Sequence, residues 1–359
     1  MFSVGIIGLP NIGKSTLFKA VTKIAVPISI FPFTTIDPNK GIVEVKDKRL
    51  EKIKEIVKPQ KTTPAIIEFV DIAGLVREAH LGKGLGNKFL SHISEVDLLL
   101  EVVRLFKNEK VSHVENVIDA ERDIEIIKNE IAAWDEKIIS NFIENLKKKI
   151  KSSPLDEELK TENELAEQLK KFLGEKTWLL ERIKQLPGET QVDMKNLGRK
   201  SAVLSVKPLI FLFNISERDL TKEEEAKLRT SFPYSFFIDL KKEEEISELS
   251  NKEKEELEVS SYLDDLILSC YNRLDLITFY TIKGGREIRA YELKRGEEII
   301  VAAGKVHSDF QKKFIRVEVL SFKDLIESDS WQEAKKRGKI NVKGRDYIVN
   351  DGDIIEFKI

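Results

Sequence analysis

Gly8-Leu9-Pro10-Asn11-Ile12-Gly13-Lys14-Ser15 stands almost at the start of the chain and follows the spacing GxxxxGK[ST]. Residues of these types at this spacing suit a run of phosphates. Glycines let the backbone curl so that its N–H groups surround phosphate oxygens. The Lys14 ammonium adds positive charge at the β- and γ-phosphates, and the Ser15 hydroxyl faces Mg2+. The candidate binding set is Asn11, Ile12, Gly13, Lys14, Ser15 and Thr16, with Lys14 also counted as catalytic. The ligand class is a nucleoside triphosphate with Mg2+.

Three further stretches carry groups suited to the same ligand. Asp71-Ile72-Ala73-Gly74 follows the apolar run Ile66–Val70. A DxxG at a strand end sets its aspartate near Mg2+, here through a water, and offers the glycine N–H to the γ-phosphate. Between the two motifs lies Phe31-Pro32-Phe33-Thr34-Thr35-Ile36-Asp37-Pro38. A threonine in such a loop can reach Mg2+ and sense the γ-phosphate, but the residues alone leave Thr34 and Thr35 open and fit a simple proline-rich turn as well. Asn214-Ile215-Ser216-Glu217 follows Pro208–Phe213, where guanine-specific switches carry NKxD. Glu217 is one methylene longer than the usual aspartate, and Ile215 replaces the lysine. The pairing that selects guanine is therefore lost. Asn214 and backbone groups are then expected to read an adenine amino group, unless the stretch is only a strand-ending turn.

These groups need a scaffold, and the apolar pattern supplies one. Phe2–Ile7, Val43–Val45, Ile66–Val70, Leu98–Val103 and Pro208–Phe213 read as strands. Ser15–Thr22 and Lys48–Val57 read as helices, the first presenting its N-terminus to the phosphates. The alternation predicts an α/β fold, a doubly wound, mostly parallel sheet with helices on both faces. A long helical interruption follows. Ile124, Ile127, Ile131, Trp134 and Ile138 repeat at heptad spacing, and the phase shifts to Phe142, Leu146 and Ile150. A return helix is expected from Ser153-Pro154 through Leu186, closed by Pro187-Gly188. The pair reads as an antiparallel hairpin, or as two amphipathic helices folded on the core. Lys147, Lys148, Lys149 and Lys151 near its tip form a solvated face or a nucleic-acid contact. Ser260–Leu274 looks helical. From about Leu276 short strands and turn signals predict a small separate α+β domain. The expected division is 1–122 with 200–275 for the nucleotide, 123–199 for the helical insertion and 276–359 for the C-terminal domain.

With 359 residues, 41% of them hydrophobic, the chain can bury a sizeable core, and its net charge of −2 provides no global polycation for nucleic acid. A single cysteine, Cys270, excludes an internal disulfide framework and suits a reducing cytosol. No apolar run reaches about 18 residues, so no membrane span or membrane partner is expected. The first residues are taken by the phosphate-loop strand and do not read as a secretory signal.

Taken together, GLPNIGKSTLF, FPFTTIDPN, DIAGLV with GKGLGNKFLSHI, NISE and the C-terminal AAGKVHSDF, FIRVEV and GRDYIVNDGDIIEF resemble the YchF/Obg-like ATPase family over nearly the whole chain. The resemblance implies a P-loop NTPase domain with a coiled-coil insertion and a C-terminal TGS domain, a ubiquitin-like β-grasp. It selects Thr35 as the sensor of Mg2+ and the γ-phosphate. It implies ATP preferred over GTP, hydrolysis to ADP and phosphate, and the ribosome as partner, with the large subunit or its rRNA as the expected contact. A monomeric cytoplasmic protein is expected. Phe237–Leu240 and Arg77-Glu78 depart from the family pattern in the base loop and in the switch.

The water-orienting glutamine that often follows DxxG is replaced by Leu75, which can neither donate nor accept a hydrogen bond. Slow intrinsic turnover is expected. His80 could swing toward the γ-phosphate, or be solvated. Asn11 could hold a K+ that supplies charge to the phosphates, or only bond within the loop. Besides a slow ATPase switch, two readings stay open: a nucleotide-gated RNA or ribosome-binding module with incidental hydrolysis, and a conventional GTPase.

Overall fold

The computed structural model describes residues 1–23, 39–72, 85–108, 110–175, 178–216 and 220–358, with 85–88 and 251 described by backbone alone. It begins with β1 (Ser3–Ile7), every residue of which is buried. The phosphate loop then leads into α1 (Lys14–Lys23), which lays Leu17, Ala20 and Val21 on the core. Next come β2 (Lys40–Glu44), α2 (Lys48–Val57), β3 (Lys61–Thr63), β4 (Ile66–Asp71), α3 (Leu85–Glu95) and β5 (Leu98–Arg104). α2 starts where Asp47 accepts the Arg49 N–H, which satisfies one of the free donors of its first turn.

The helical interruption contains four helices among the described residues rather than two. They are α4 (Ala120–Ser152), α5 (Glu157–Leu173), α6 (Leu179–Ile183) and α7 (Gly188–Lys200). The return begins later than expected. Ser153 closes α4, and Asp156 caps α5 by accepting the Leu159 N–H. Pro187 does not end a long helix but stands at the start of α7. The heptad reading of α4 holds through Ile131 and meets the buried stripe again at Leu146, but departs from it in between. The buried stripe passes through Asp135, Ile139, Ile143 and Leu146, while Trp134 and Ile138 are half-buried. That drift is the ordinary 3.6-residue period of a straight helix, not the 3.5-residue period of a supercoiled seam. All four helices contribute to one cluster, with Ile139, Ile143, Leu169, Leu179, Ile183 and Met194 at its centre.

The chain returns through β6 (Leu209–Asn214), α8 (Lys222–Ser231), β7 (Ser235–Ile238), α9 (Leu240–Glu248), α10 (Asn251–Glu256) and α11 (Leu263–Arg273). The first sheet has the order β2-β4-β1-β5-β6-β7. Only β2 runs antiparallel to its neighbour, and every other pairing is parallel. In this register the C-terminal ends of β1, β4 and β6 lie along one edge, the place where open α/β sheets bind ligands.

The C-terminal part comprises β8 (Leu276–Lys283), β9 (Glu287–Lys294), α12 (Ile299–Val306), α13 (Ser308–Lys312), β10 (Arg316–Ser321), α14 (Phe322–Ser328), α15 (Trp331–Lys336), β11 (Asn341–Lys343) and β12 (Asp353–Lys358). Its sheet has the order β11-β10-β12-β8-β9-β3. One edge is thus supplied by β3, from the N-terminal half, in parallel with β9. One face of this sheet packs on α12 through Phe279, Ile299 and Ala302. Tyr280, Ile288, Leu320 and Ile354 belong instead to the cluster that fills the nucleotide-type domain. The C-terminal part is therefore not separate. It shares a strand and a core with the rest.

Candidate nucleotide site

The phosphate loop owes its shape to two glycines and two buried apolar residues. Gly8 has φ 145°, and a Cβ there would lie 2.2 Å from Ile12 Cδ1 and 2.6 Å from the Val102 carbonyl oxygen. Gly13 has φ 108°, and a Cβ there would lie 2.4 Å from Asn214 Nδ2. No other residue fits either place. Leu9 and Ile12 are buried and anchor the loop to the core, while Asn11 between them is exposed with φ 62°. Thr16 follows, half-buried, in the first turn of α1.

Lys14 and Ser15 open α1. Lys14 is buried, and its Nζ donates to the carbonyls of Leu9 at 2.6 Å and Gly8 at 3.2 Å. Burial pulls the ammonium down to about 8, against the attraction of Asp71. Ser15 Oγ donates to Asp71 Oδ2 at 3.3 Å, so the loop and the end of β4 do meet. Burial raises the Asp71 carboxyl, and Lys14 and Ser15 oppose that shift. A hydroxyl beside a carboxylate is a set of hard oxygen donors of the kind Mg2+ takes. The ammonium and the free N–H groups of the first helical turn suit anionic phosphates.

On the base side the structure gives Asn214 a different task from the one the sequence suggested. The residue is 6% exposed. Its Nδ2 donates to the Ile12 carbonyl at 2.9 Å, and its Oδ1 accepts the Leu240 N–H at 3.3 Å. Its side chain thereby ties the phosphate loop to the start of α9, and its Oδ1, the acceptor an adenine amino group would need, already accepts from Leu240. Ile215 is half-buried against the core. Of Phe237–Leu240, Leu240 packs beneath Gly13. Thr35, Gly74, Leu75, His80 and Glu217 lie outside the described residues.

Family models match in two places. Residues 3–143 match one described as a 50S ribosome-binding GTPase, and residues 276–359 match the YchF-GTPase C-terminal model, described as a protein of unknown function. The chain is 40% identical, over 100% of its length and 99% of the relative's, to the ribosome-binding ATPase YchF of Mycoplasma genitalium. The chain belongs to the YchF/Obg-like ATPase family. It is also 37% identical to the Obg-like ATPase 1 of Gallus gallus, over 99% of this chain and 91% of the relative. The solved structure of the Schizosaccharomyces pombe YchF GTPase superposes with a TM-score of 0.85 at 31% identity, covering 99% of this chain and 97% of that one. P-loop architecture and family thus agree with the sequence reading.

One group of residues beside the loop was missed by reading motifs. Glu101 on β5 is 1% exposed, and neither carboxylate oxygen has a hydrogen-bond partner among the described residues. Burial pushes its carboxyl well above the usual range, and Asp123 pushes it further against the pull of Lys128. It shares a small void with Leu9 and Ile12 of the loop and with Arg104 and Asp123. The signal available in the sequence was a lone acid inside the apolar run Leu98–Val103.

Proposed function

We propose that the protein is a ribosome-binding ATPase that hydrolyses Mg2+-ATP slowly and prefers ATP to GTP. The observation that carries this reading is the Lys14, Ser15 and Asp71 constellation on a chain aligned end to end with ribosome-binding ATPases. In this reading Ser15 holds Mg2+ directly and Asp71 through a water, with Thr35 as the third contact. Gly74 offers its N–H to the γ-phosphate. The backbone from Asn11 to Thr16 wraps the phosphates, Asn214 holds that loop from beneath through the Ile12 carbonyl rather than reading the base itself, and Ile215 and Glu217 are the side chains assigned to the base. Glu217 in place of the guanine-reading aspartate supports adenine. His80 is a candidate for orienting water in place of the missing glutamine. Helical insertion 123–199 and C-terminal segment 276–359, taken as a TGS domain, are the arms offered to the large ribosomal subunit or its rRNA.

Phosphate release from Mg2+-ATP tests this. Lys14→Ala should reduce nucleotide binding below detection, and an unchanged rate in that variant would remove the site from the reaction. If Asn11 holds a K+ that supplies charge at the phosphates, exchanging Na+ for K+ at saturating ATP raises the rate. Equal rates in both salts would sink the cation role. Cosedimentation with ribosomes in ATP but not in ADP would support the partner, and no cosedimentation in either would oppose it.

A further inference from the structure

Between β5 and α4 the chain crosses beside the phosphate loop, and buried groups fix its route. Arg104, 2% exposed, spends its guanidinium on three carbonyls of that crossing. Nε donates to Phe106 at 3.1 Å, Nη1 to Val111 at 3.0 Å and Nη2 to Asn108 at 3.1 Å. His113, 8% exposed, accepts the Glu115 N–H on Nδ1 at 3.2 Å. In the neutral ring the proton must then sit on Nε2. Nε2 faces Asp123 Oδ2 at 2.9 Å, out of line for a straight hydrogen bond, and neither atom has a hydrogen bond to another described residue. Asp123 lies in the first turn of α4, 4% exposed, and its Oδ1 accepts from Arg122 Nη2 at 2.7 Å.

The crossing reaches the phosphate loop once directly and once through Asn214 of β6. Ser112 offers its carbonyl to Asn11 Nδ2 at 3.4 Å. The N–H groups of Leu105 and Phe106 donate to the Asn214 carbonyl at 2.9 and 3.0 Å, and the Asn214 side chain holds Ile12. Asn11 has a left-handed backbone, which asparagine tolerates better than most residues but which surrounding contacts must hold.

We propose that His113 and Asp123 are positioning residues for ATP hydrolysis. They clamp the crossing whose Ser112 carbonyl orients the Asn11 amide, and they do so without meeting the nucleotide. Loss of the clamp therefore costs turnover only while Asn11 has an amide to orient. A residue that merely supports the fold would cost the same with or without it.

A double-mutant cycle on the full chain separates the two. kcat and KM for ATP are measured for the unmodified protein, Asp123→Asn, Asn11→Ala and the double variant, with a melting temperature for each. Asp123→Asn should lower kcat/KM by about tenfold beside Asn11 and by less than about twofold beside Asn11→Ala. His113→Ala should behave as Asp123→Asn does, and His113→Gln, whose amide nitrogen can stand near the imidazole Nε2, should recover most of the rate. Should Asp123→Asn fail to fold, the two His113 variants complete the same cycle. Equal losses in both Asn11 backgrounds, or no loss in either, would overturn the proposal. It rests on ATP hydrolysis at this site but not on K+ at Asn11. A wild-type rate that Lys14→Ala leaves unchanged counts against the functional reading, whereas additive losses in an active enzyme count against the positioning role alone.

Discussion

On the proposed reading nucleotide affinity turns on Lys14, and the environment of that residue would give affinity a pH dependence. Burial lowers its ammonium to about 8. A triphosphate needs the charged form, so below about pH 7 affinity should not vary from this source. As pH rises through the lowered value the free protein loses the proton that ATP must restore, and Kd should weaken by up to about tenfold per unit beyond it. Titration with ATP from pH 6.5 to 9.5 checks this, and a flat Kd over that range would show that Lys14 stays charged. The P-loop itself was legible because its chemistry is contiguous in the chain. Asn214 was only half legible. Its place after a strand marked it for the base edge, but its bond to the Ile12 carbonyl joins residues far apart in sequence. His113 and Asp123 carried no motif, since their meaning lies in burial next to one another.

At the scale of elements, α4 joins the sheet to the helical insertion, and Asp135 secures it midway. Its carboxylate accepts the Leu204 N–H at 2.6 Å, the Ser205 N–H at 2.8 Å and the Ser205 hydroxyl at 2.6 Å. Burial pushes it up to about 6 while the three donors pull the other way, and the geometry makes it the acceptor in all three bonds. Asp135→Asn would turn an amide donor toward one of these N–H groups and cost about 2–3 kcal/mol. Denaturant unfolding measures that, and a loss under about 0.5 kcal/mol would mean that the helix is held by its apolar contacts alone. β1, β4, β5 and β6 could be read from apolar runs because central parallel strands are buried on both faces, whereas the short edge strand β7 was not read. The bounds of the helical insertion could not. Asp135 interrupts the apolar stripe that a heptad reading follows, and capping by Asp156 rather than Ser153 depends on which side chain reaches a free N–H.

The whole molecule is bound together by exchanges between its halves. β3 completes the second sheet, and Tyr280 donates to Asp47 at 2.5 Å while Arg49 pairs with both Asp47 and Asp351. β3 was invisible in the sequence because Lys61-Thr62-Thr63 has no apolar pattern and takes its partner from more than two hundred residues away. With a common core beneath both sheets, the nucleotide-type domain and the C-terminal part should unfold together. Calorimetry should show them in one transition, and a separate C-terminal transition would contradict a shared core. A nucleotide signal at the sheet edge would then meet a connected body rather than a tethered appendage.

The claim that most needs a direct answer is the identity of the base. Calorimetric titration of the nucleotide-free protein with Mg2+-ATP and Mg2+-GTP under one buffer decides it. The account predicts ATP tighter by about tenfold or more, because the carboxylate that pairs with guanine is displaced at Glu217 and the lysine of that motif is absent at Ile215. GTP binding as tightly as ATP, or more tightly, would contradict it.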